Sequence, residues 1–302
     1  MVSILVPVYN ASQTLQRCVA SLTGQTYTDL QIVLINDGST DDSWDIIKEL
    51  AQQDKRLEVY SQTNCGVAAT RNHLLDKARG EFVLFVDSDD WIEPNTIEIL
   101  VQEQQLHKCD MVVFNQPEDD IWLQERAVRE FLRHREFRGM LWNKLIKREL
   151  FDKNVFNESV WYGEDALMIW QVLQRVNVVR VLSLKLYHYC DNENSLSRLS
   201  FDGRKFTAYT TWDTISTDAD ESWPQYSDIA HARFACEMTQ ILRTAARSGY
   251  KCDKSIRLLQ EVVRRDGNKI RSTGVSSLKM SMYAWLISRY YGFVKKISHL
   301  VD

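Results

Sequence analysis

The chain has 302 residues, 44% hydrophobic and 26% charged, enough to bury a sizeable core as one large domain or a domain with an appendage. Its net charge of −4 gives no electrostatic case for nucleic acid as the main partner. Six cysteines (Cys18, Cys65, Cys109, Cys190, Cys236, Cys252) are scattered without a CxxC pair or a Cys/His cluster, which argues for a reduced, cytosolic protein with neither a disulfide framework nor a structural zinc site.

The opening "MVSILVPVYN" has no basic n-region and no long apolar segment, so no signal peptide is expected there. No run approaches the about 20 apolar residues of a transmembrane helix. The expected location is therefore cytoplasmic, or peripheral on the inner face of a membrane.

In chain order, short apolar runs at Val2–Val8, Leu30–Ile35, Leu57–Tyr60, Phe82–Val86 and Met111–Phe114 read as strands. Segments at Ser12–Leu22, Asp41–Ala51, Val67–Ala78 and Asn95–His107 lie between them and read as helices. Ser12, the Asp41/Asp42/Ser43 group and Pro94-Asn95 mark helix starts. This alternation predicts an α/β domain with a doubly wound, mostly parallel sheet. Residues 117–138 are charged and partly helical and read as an insertion or lid. "WYGEDALMIWQVL" (161–173) reads as a loop entering a helix, and "VVRVLSLKLYHYC" (178–190) as one or two strands. Helices are expected near 203–216, 226–247, 252–265 and 277–298. The division is residues 1–200 as one domain and 201–302 as a helical C-terminal region.

Ligands of open α/β sheets bind beyond the carboxyl ends of the strands. Those ends read "PVYN" (7–10), "NDGSTDDS" (36–43), "TNCGVAATRN" (63–72) and "DSDD" (87–90), an acidic rim with one arginine, Arg71. Three carboxylates within four positions, at Asp87, Asp89 and Asp90, repel one another and call for a cation or for water. A helix cap or turn cluster is the plainer reading of such acids.

The motifs "SILVPVYN", "INDGSTDDS", "NCGVAATRN", "FVDSDDW", "WNKLIKREL", "GEDALM" and "YHYCDNENSLSR" follow in the order found in glycosyltransferase family 2. The chain resembles the members with a GT-A (Rossmann-like) fold that build bacterial capsules and other surface polysaccharides. Seven motifs in order, over roughly residues 2–198, are specific where any single one is weak.

The resemblance implies an inverting, metal-dependent transferase. It moves a sugar from a UDP-sugar to a saccharide or lipid-linked acceptor. It implies Mn2+ or Mg2+ on Asp89 and Asp87, with Asp89 the direct ligand and Asp87 also toward the ribose beside Ser88. Asp37 is expected on the uracil N3–H, in keeping with an Asx-turn into Gly38. Pro7, Val8 and Tyr9 are expected at the base pocket, with plain core packing the alternative for Tyr9. Gly66 and Arg71 are expected near the nucleotide, the arginine offsetting the aspartates; a surface arginine is the bland alternative. Thr70 departs from the small alanine usual before this arginine. Asp90 is expected to be solvated.

Gly163 permits a sharp turn, after which Glu164 and Asp165 enter a helix whose macrodipole favours negative charge. Without the other motifs, two acids decorating a helix start would be the better reading; by resemblance Asp165 is the catalytic base. Trp142, Asn143 and Lys144 are expected on the acceptor side. His188 is a candidate metal ligand that strand alternation can also turn away. Asn194–Ser197 resembles a loop that closes over the donor. The basic, aromatic segment 277–302 can pack on the protein, on a second copy, or in a membrane interface, and buried stripes favour packing. Two other functions fit in outline: a non-catalytic scaffold for a transferase, and a sugar nucleotidyltransferase. The second lacks its Gly-rich, basic phosphate loop, and intact Asp87, Asp89 and Asp165 argue against the first.

Overall fold

The computed structural model describes residues 1–133, 137, 139–151, 156–190 and 201–297. It divides into two compact units, Met1–Val128, Gly139–Glu158 and Met168–Asn192 forming the first, and Arg129–Arg138, Ser159–Leu167 and Glu193–Asp302 the second.

The first unit is built on β1 (Val2–Val8), α1 (Leu15–Thr23), β2 (Leu30–Asp37), α2 (Ser43–Ala51), β3 (Leu57–Gln62), α3 (Val67–Lys77), β4 (Phe82–Phe85), β5 (Trp91–Ile92), α4 (Thr96–His107), β6 (Met111–Val113) and β7 (Asp120–Leu123). Helix α5 (Gln124–Arg133), β8 (Lys144–Lys147), α6 (Glu164–Leu173), β9 (Val178–Val181) and β10 (Tyr187–His188) follow in the chain, with the end of α5 from Arg129 and the start of α6 to Leu167 belonging to the second unit. One sheet of eight strands runs β3-β2-β1-β4-β8-β6-β9-β7, and β5 pairs with β10 in a small second sheet. All eight residues of β2 are buried, as expected of a parallel strand covered on both faces. Strand β1 pairs in parallel with β2 from Val2–Leu30 to Val8–Asn36, and with β4 from Val2–Phe82 to Leu5–Phe85. The strand order therefore departs in both directions from β1, a topological switch point whose crevice opens beyond the strands' carboxyl ends.

Leu15, Cys18, Val19 and Leu22 recur at helical spacing on α1 and are buried in the core with Ile4, Val6, Ile32 and Leu84. Two expectations need correction. Strands β7 and β8 fall in segments read as a lid and as part of a signature, and β8 enters the sheet antiparallel between β4 and β6. Ser12 does not start α1: Thr14 sits at the cap position, and the Ser12 amide donates to Asp41 Oδ2 at 3.0 Å.

The second unit is helical: α7 (Ala208–Ser222), α8 (Ser227–Arg247), α9 (Lys254–Asp266), α10 (Lys269–Ser272) and α11 (Leu278–Ile297). The helix expected from 203 begins at Ala208, after a 3-10 turn at Gly203–Thr207. Asp253 caps α9, accepting the Ile256 amide at 3.0 Å. His231 on α8 lies between two carboxylates, 3.1 Å from Asp220 Oδ2 and 3.3 Å from Asp266 Oδ2. These neighbours raise its pKa above the ordinary histidine value, the close Asp266 carboxylate first, outweighing the effect of burial.

Candidate active site

At the end of β1, Val8 is buried, Pro7 is half-buried and Tyr9 is 52% exposed. Tyr9 is therefore not a core residue, and Val8 offers a ligand only its main chain. Asn10, in the left-handed region at φ 48°, anchors the next loop: its amide donates to Ser39 Oγ at 3.0 Å and its Oδ1 accepts the Thr40 amide at 2.8 Å.

Asp37 ends β2 and is buried. Its Oδ1 accepts from the Cys65 amide and from Gln62 Nε2, both at 2.9 Å, and its Oδ2 accepts from the Gly66 amide at 3.0 Å. Cys65 and Gly66 lead into α3, so Asp37 satisfies amides at the start of a helix distant in sequence. Gly66 has φ 89°, a backbone geometry that other residues adopt at a cost, which explains the glycine here. A carboxylate oxygen has two acceptor positions, so Oδ2 retains one for a ligand N–H. Thr70 is buried, bonds back to the Gly66 carbonyl at 2.9 Å and accepts from Gln62 Nε2 at 3.0 Å. It braces the loop that Asp37 holds.

The three acids after β4 have three different environments. Asp87 is half-buried, with its Oδ1 3.7 Å from Arg71 Nη2. Arg71 is itself buried, its guanidinium carbon 5.7 Å from the centre of the Phe156 ring, so it is not a surface arginine. Asp89 is half-buried, and among the described residues its carboxylate accepts no hydrogen bond. Its carbonyl accepts from Arg17 Nη2 at 2.7 Å, and the Ser88 carbonyl accepts from Thr14 Oγ1 at 2.9 Å, so α1 holds the main chain of the turn.

Asp90 corrects an expectation: it is fully buried rather than solvated. Its Oδ2 accepts from the Tyr187 hydroxyl at 2.6 Å and its Oδ1 from the Cys190 amide at 2.7 Å. Burial pushes the Asp90 carboxyl up to about 7, against the lowering effect of these two donors; the charges on Asp87 and Asp89 add to the rise. The Tyr187 hydroxyl also accepts from the Asp87 amide at 3.1 Å. One tyrosine therefore pins both ends of the acidic turn, and it was missed because nothing in "YHY" marks a partner so distant in sequence.

Trp142 is half-buried and stacks on Tyr187 with centroids 4.6 Å apart. Asn143 and Lys144 are buried. Asn143 Nδ2 donates to the Phe114 carbonyl at 3.1 Å, while Lys144 Nζ donates to the Met140 carbonyl at 2.5 Å and to Asn143 Oδ1 at 2.7 Å. Of this signature, Trp142 is the side chain with surface to offer an acceptor. His188 stacks on Trp91 at 3.6 Å and its Nε2 lies 2.6 Å from Glu93 Oε1, so that nitrogen is already engaged.

Glu164 and Asp165 lie in the second unit, in the first turn of α6, both half-buried. Gly163 before them has φ 93°, and its carbonyl accepts from Thr211 Oγ1 at 3.3 Å, which fixes the helix entry. The loop Asn194–Ser197 lies outside the described residues.

The first unit thus joins Asp37 to Gly66 and Arg71 to Asp87 at the carboxyl edge of a parallel sheet. Among the described residues no group of three His, Cys, Asp or Glu side chains could hold a metal alone. Asp87 and Asp89 supply hard oxygen donors, and Mg2+ is commonly held by one or two carboxylates completed by substrate phosphate and water. The donor set fits an ion shared with a phosphorylated ligand, not an all-protein cage.

The same architecture occurs in solved structures. S. aureus TarS 1–349, in complex with UDP-GlcNAc, matches with a TM-score of 0.70 at 21% identity, covering 99% of this chain and 91% of that one. The mannosyltransferase PcManGT from Pyrobaculum calidifontis, in complex with GDP-Man and Mn2+, matches with a TM-score of 0.56 at 16% identity, over 96% of this chain and 87% of that one. These likenesses bear out the expected GT-A fold. In sequence, the uncharacterized glycosyltransferase EpsJ of Bacillus subtilis is 31% identical over 220 residues, which are 67% of this chain but 64% of EpsJ. The match therefore spans less than two thirds of that relative. The profile of glycosyl transferase family 2 matches residues 3–161, more than half of the sequence, and the chain belongs to that family.

Proposed function

We propose that the chain moves a sugar from a UDP-sugar to a hydroxyl of a saccharide or lipid-linked saccharide in surface polysaccharide synthesis, with inversion and with Mn2+ or Mg2+. The observation that carries this reading is the Asp87–Ser88–Asp89 turn at the carboxyl edge of β4. There Arg71 stands beside Asp87, and the Asp89 carboxylate accepts no hydrogen bond among the described residues. TarS holding UDP-GlcNAc and PcManGT holding Mn2+ support it.

In this reading residues 1–200 bind the donor and carry out transfer, and residues 201–302 serve packing, oligomerisation or membrane-surface contact. The main chain of Pro7 and Val8 and the Tyr9 ring wall the base pocket. Asp37 accepts the uracil N3–H through its remaining acceptor position. Asp87 with Ser88 meets the ribose, and the Gly66–Arg71 segment faces the nucleotide. Asp89 and Asp87 would hold the divalent ion, whose charge when bound offsets that of the departing diphosphate. Arg71 adds a permanent positive charge that needs no proton. Asp165, with Glu164 beside it in sequence, takes the proton of the acceptor hydroxyl as its oxygen attacks the anomeric carbon opposite the leaving UDP. Trp142, Asn143 and Lys144 lie on the acceptor side, Trp142 with a half-buried side chain and the other two buried. Donor turnover, read as UDP release from a panel of UDP-sugars, tests the whole reading.

Asp37 allows a sharper test, because it has two separable tasks. Asp37→Asn keeps the shape but turns an NH2 group toward one of the amide donors that the carboxylate now satisfies. Thermal unfolding should show a loss of about 1–3 kcal/mol from the unsatisfied donor. Calorimetry should show UDP affinity lower by about 1–2 kcal/mol, since charge assistance to N3–H is lost. A variant that is less stable yet binds UDP as the wild type does would leave Asp37 as a loop clamp alone.

A further inference from the structure

Helix α11 has two unlike sides. Ala284, Ile287, Tyr291 and Val294 are buried within the helical unit. On the other side Met282, Trp285 and Phe293 are exposed by 65%, 55% and 58%. Leu278, Met282, Trp285 and Arg289 recur at helical spacing up to a break at Tyr290 (φ −126°, ψ 42°), beyond which Phe293 is again exposed, and the Arg289 guanidinium lies 5.1 Å from the centre of the Trp285 ring. Lys279, Lys295 and Lys296 flank this stripe. From Gly267 to Val301 the sequence has six Lys and Arg residues and no Asp or Glu, in a chain whose net charge is −4.

We propose that this side of α11 lies in the plane of an anionic lipid surface, its apolar side chains among the upper acyl chains and its cations at the headgroups. A helix that combines a basic flank with Trp, Phe and Met on one side has the composition of an interfacial helix. Trp favours the headgroup level, where its ring is half apolar and half wet. No helix among the described residues is long and apolar enough to cross a membrane, so the contact is lateral. Charge decides between lipid and a second copy of the chain. A two-fold interface sets a patch against itself, and this patch would meet its own cations with no acid on the helix to pair them. Anionic headgroups supply that pairing. The inference uses none of the donor-site residues and stands apart from the donor reading.

The test is sedimentation of the full chain with vesicles of phosphatidylcholine alone, and of phosphatidylcholine mixed with phosphatidylglycerol. The protein should follow the mixed vesicles and leave the neutral ones, and added salt should release it. Each cation at the surface contributes roughly fivefold in partitioning, so Lys279→Gln, Arg289→Gln and Lys296→Gln combined should weaken binding by roughly 10²-fold. Trp285→Ser with Phe293→Ser should also abolish sedimentation. All five positions are exposed, and unchanged thermal unfolding of both variants would confirm an intact fold. Equal partitioning to both vesicle types, or none to either, overturns the proposal. So does a dimer in sedimentation velocity that Trp285→Ser dissociates, since the face then belongs to a second copy. UDP release, measured on the same samples, reports separately on the donor site.

Discussion

Asp165→Asn is expected to lower sugar transfer by about 10²–10⁴-fold, the usual scale for a lost general base. The amide keeps the size and hydrogen-bonding capacity of the side chain and removes its ability to accept a proton. UDP affinity in the presence of Mn2+ should change little, because an interaction made mainly in the transition state lowers kcat more than ground-state binding. The entry to α6 is held at the Gly163 carbonyl, which accepts from the Thr211 hydroxyl and the Leu167 amide, and the substitution leaves both bonds alone. Glu164→Gln is the internal control, since neighbouring side chains on a helix point about 100° apart. If Glu164→Gln abolishes transfer and Asp165→Asn does not, the base is Glu164. If both retain full activity, the base lies elsewhere and the single-displacement mechanism loses its central residue.

Asp89→Ala should abolish turnover and weaken metal-dependent UDP binding, with thermal unfolding nearly unchanged. The carboxylate is half-buried and accepts no hydrogen bond among the described residues, so its removal should cost little packing. The carbonyl of the same residue, held by Arg17, is untouched. The contrast is Asp90→Ala, which leaves the buried Tyr187 hydroxyl and the half-buried Cys190 amide without their acceptor and should destabilise the fold. Two adjacent acids thus separate ligand chemistry from architecture. Unchanged Mn2+ dependence of UDP binding in Asp89→Ala would remove Asp89 from the metal site.

The parallel half of the sheet was legible because β1, β2 and β4 are continuous apolar runs with helices of regular spacing between them. The long C-terminal helices were legible for the same reason. Strands β7 and β8 were not: "DIWL" and "KLIK" are four residues each, bracketed by charge, and so short a stretch cannot settle a period. The candidate site was legible as a set of residue types at strand ends. What the sequence withheld was the division of labour inside it. Asp87, Asp89 and Asp90 look alike as letters, and only the fold brings the Tyr187 hydroxyl to the carboxylate of Asp90 and the amide of Asp87. Asp37 reads as a ligand-facing carboxylate, yet most of its acceptor capacity is spent on Gln62, Cys65 and Gly66. Asn143 and Lys144 read as polar signature residues and are buried. In each case the missing information is a long-range partner, which local pattern does not encode.

UDP release from a panel of UDP-sugars, followed with Mn2+ present and again with the ion chelated, bears most directly on the central claim. The account predicts that one donor is turned over slowly by the protein alone and faster when its acceptor is supplied. That turnover should stop on chelation and be absent in Asp89→Ala. Release from no UDP-sugar while a GDP-sugar is consumed, or release that continues undiminished with the ion removed, would contradict it.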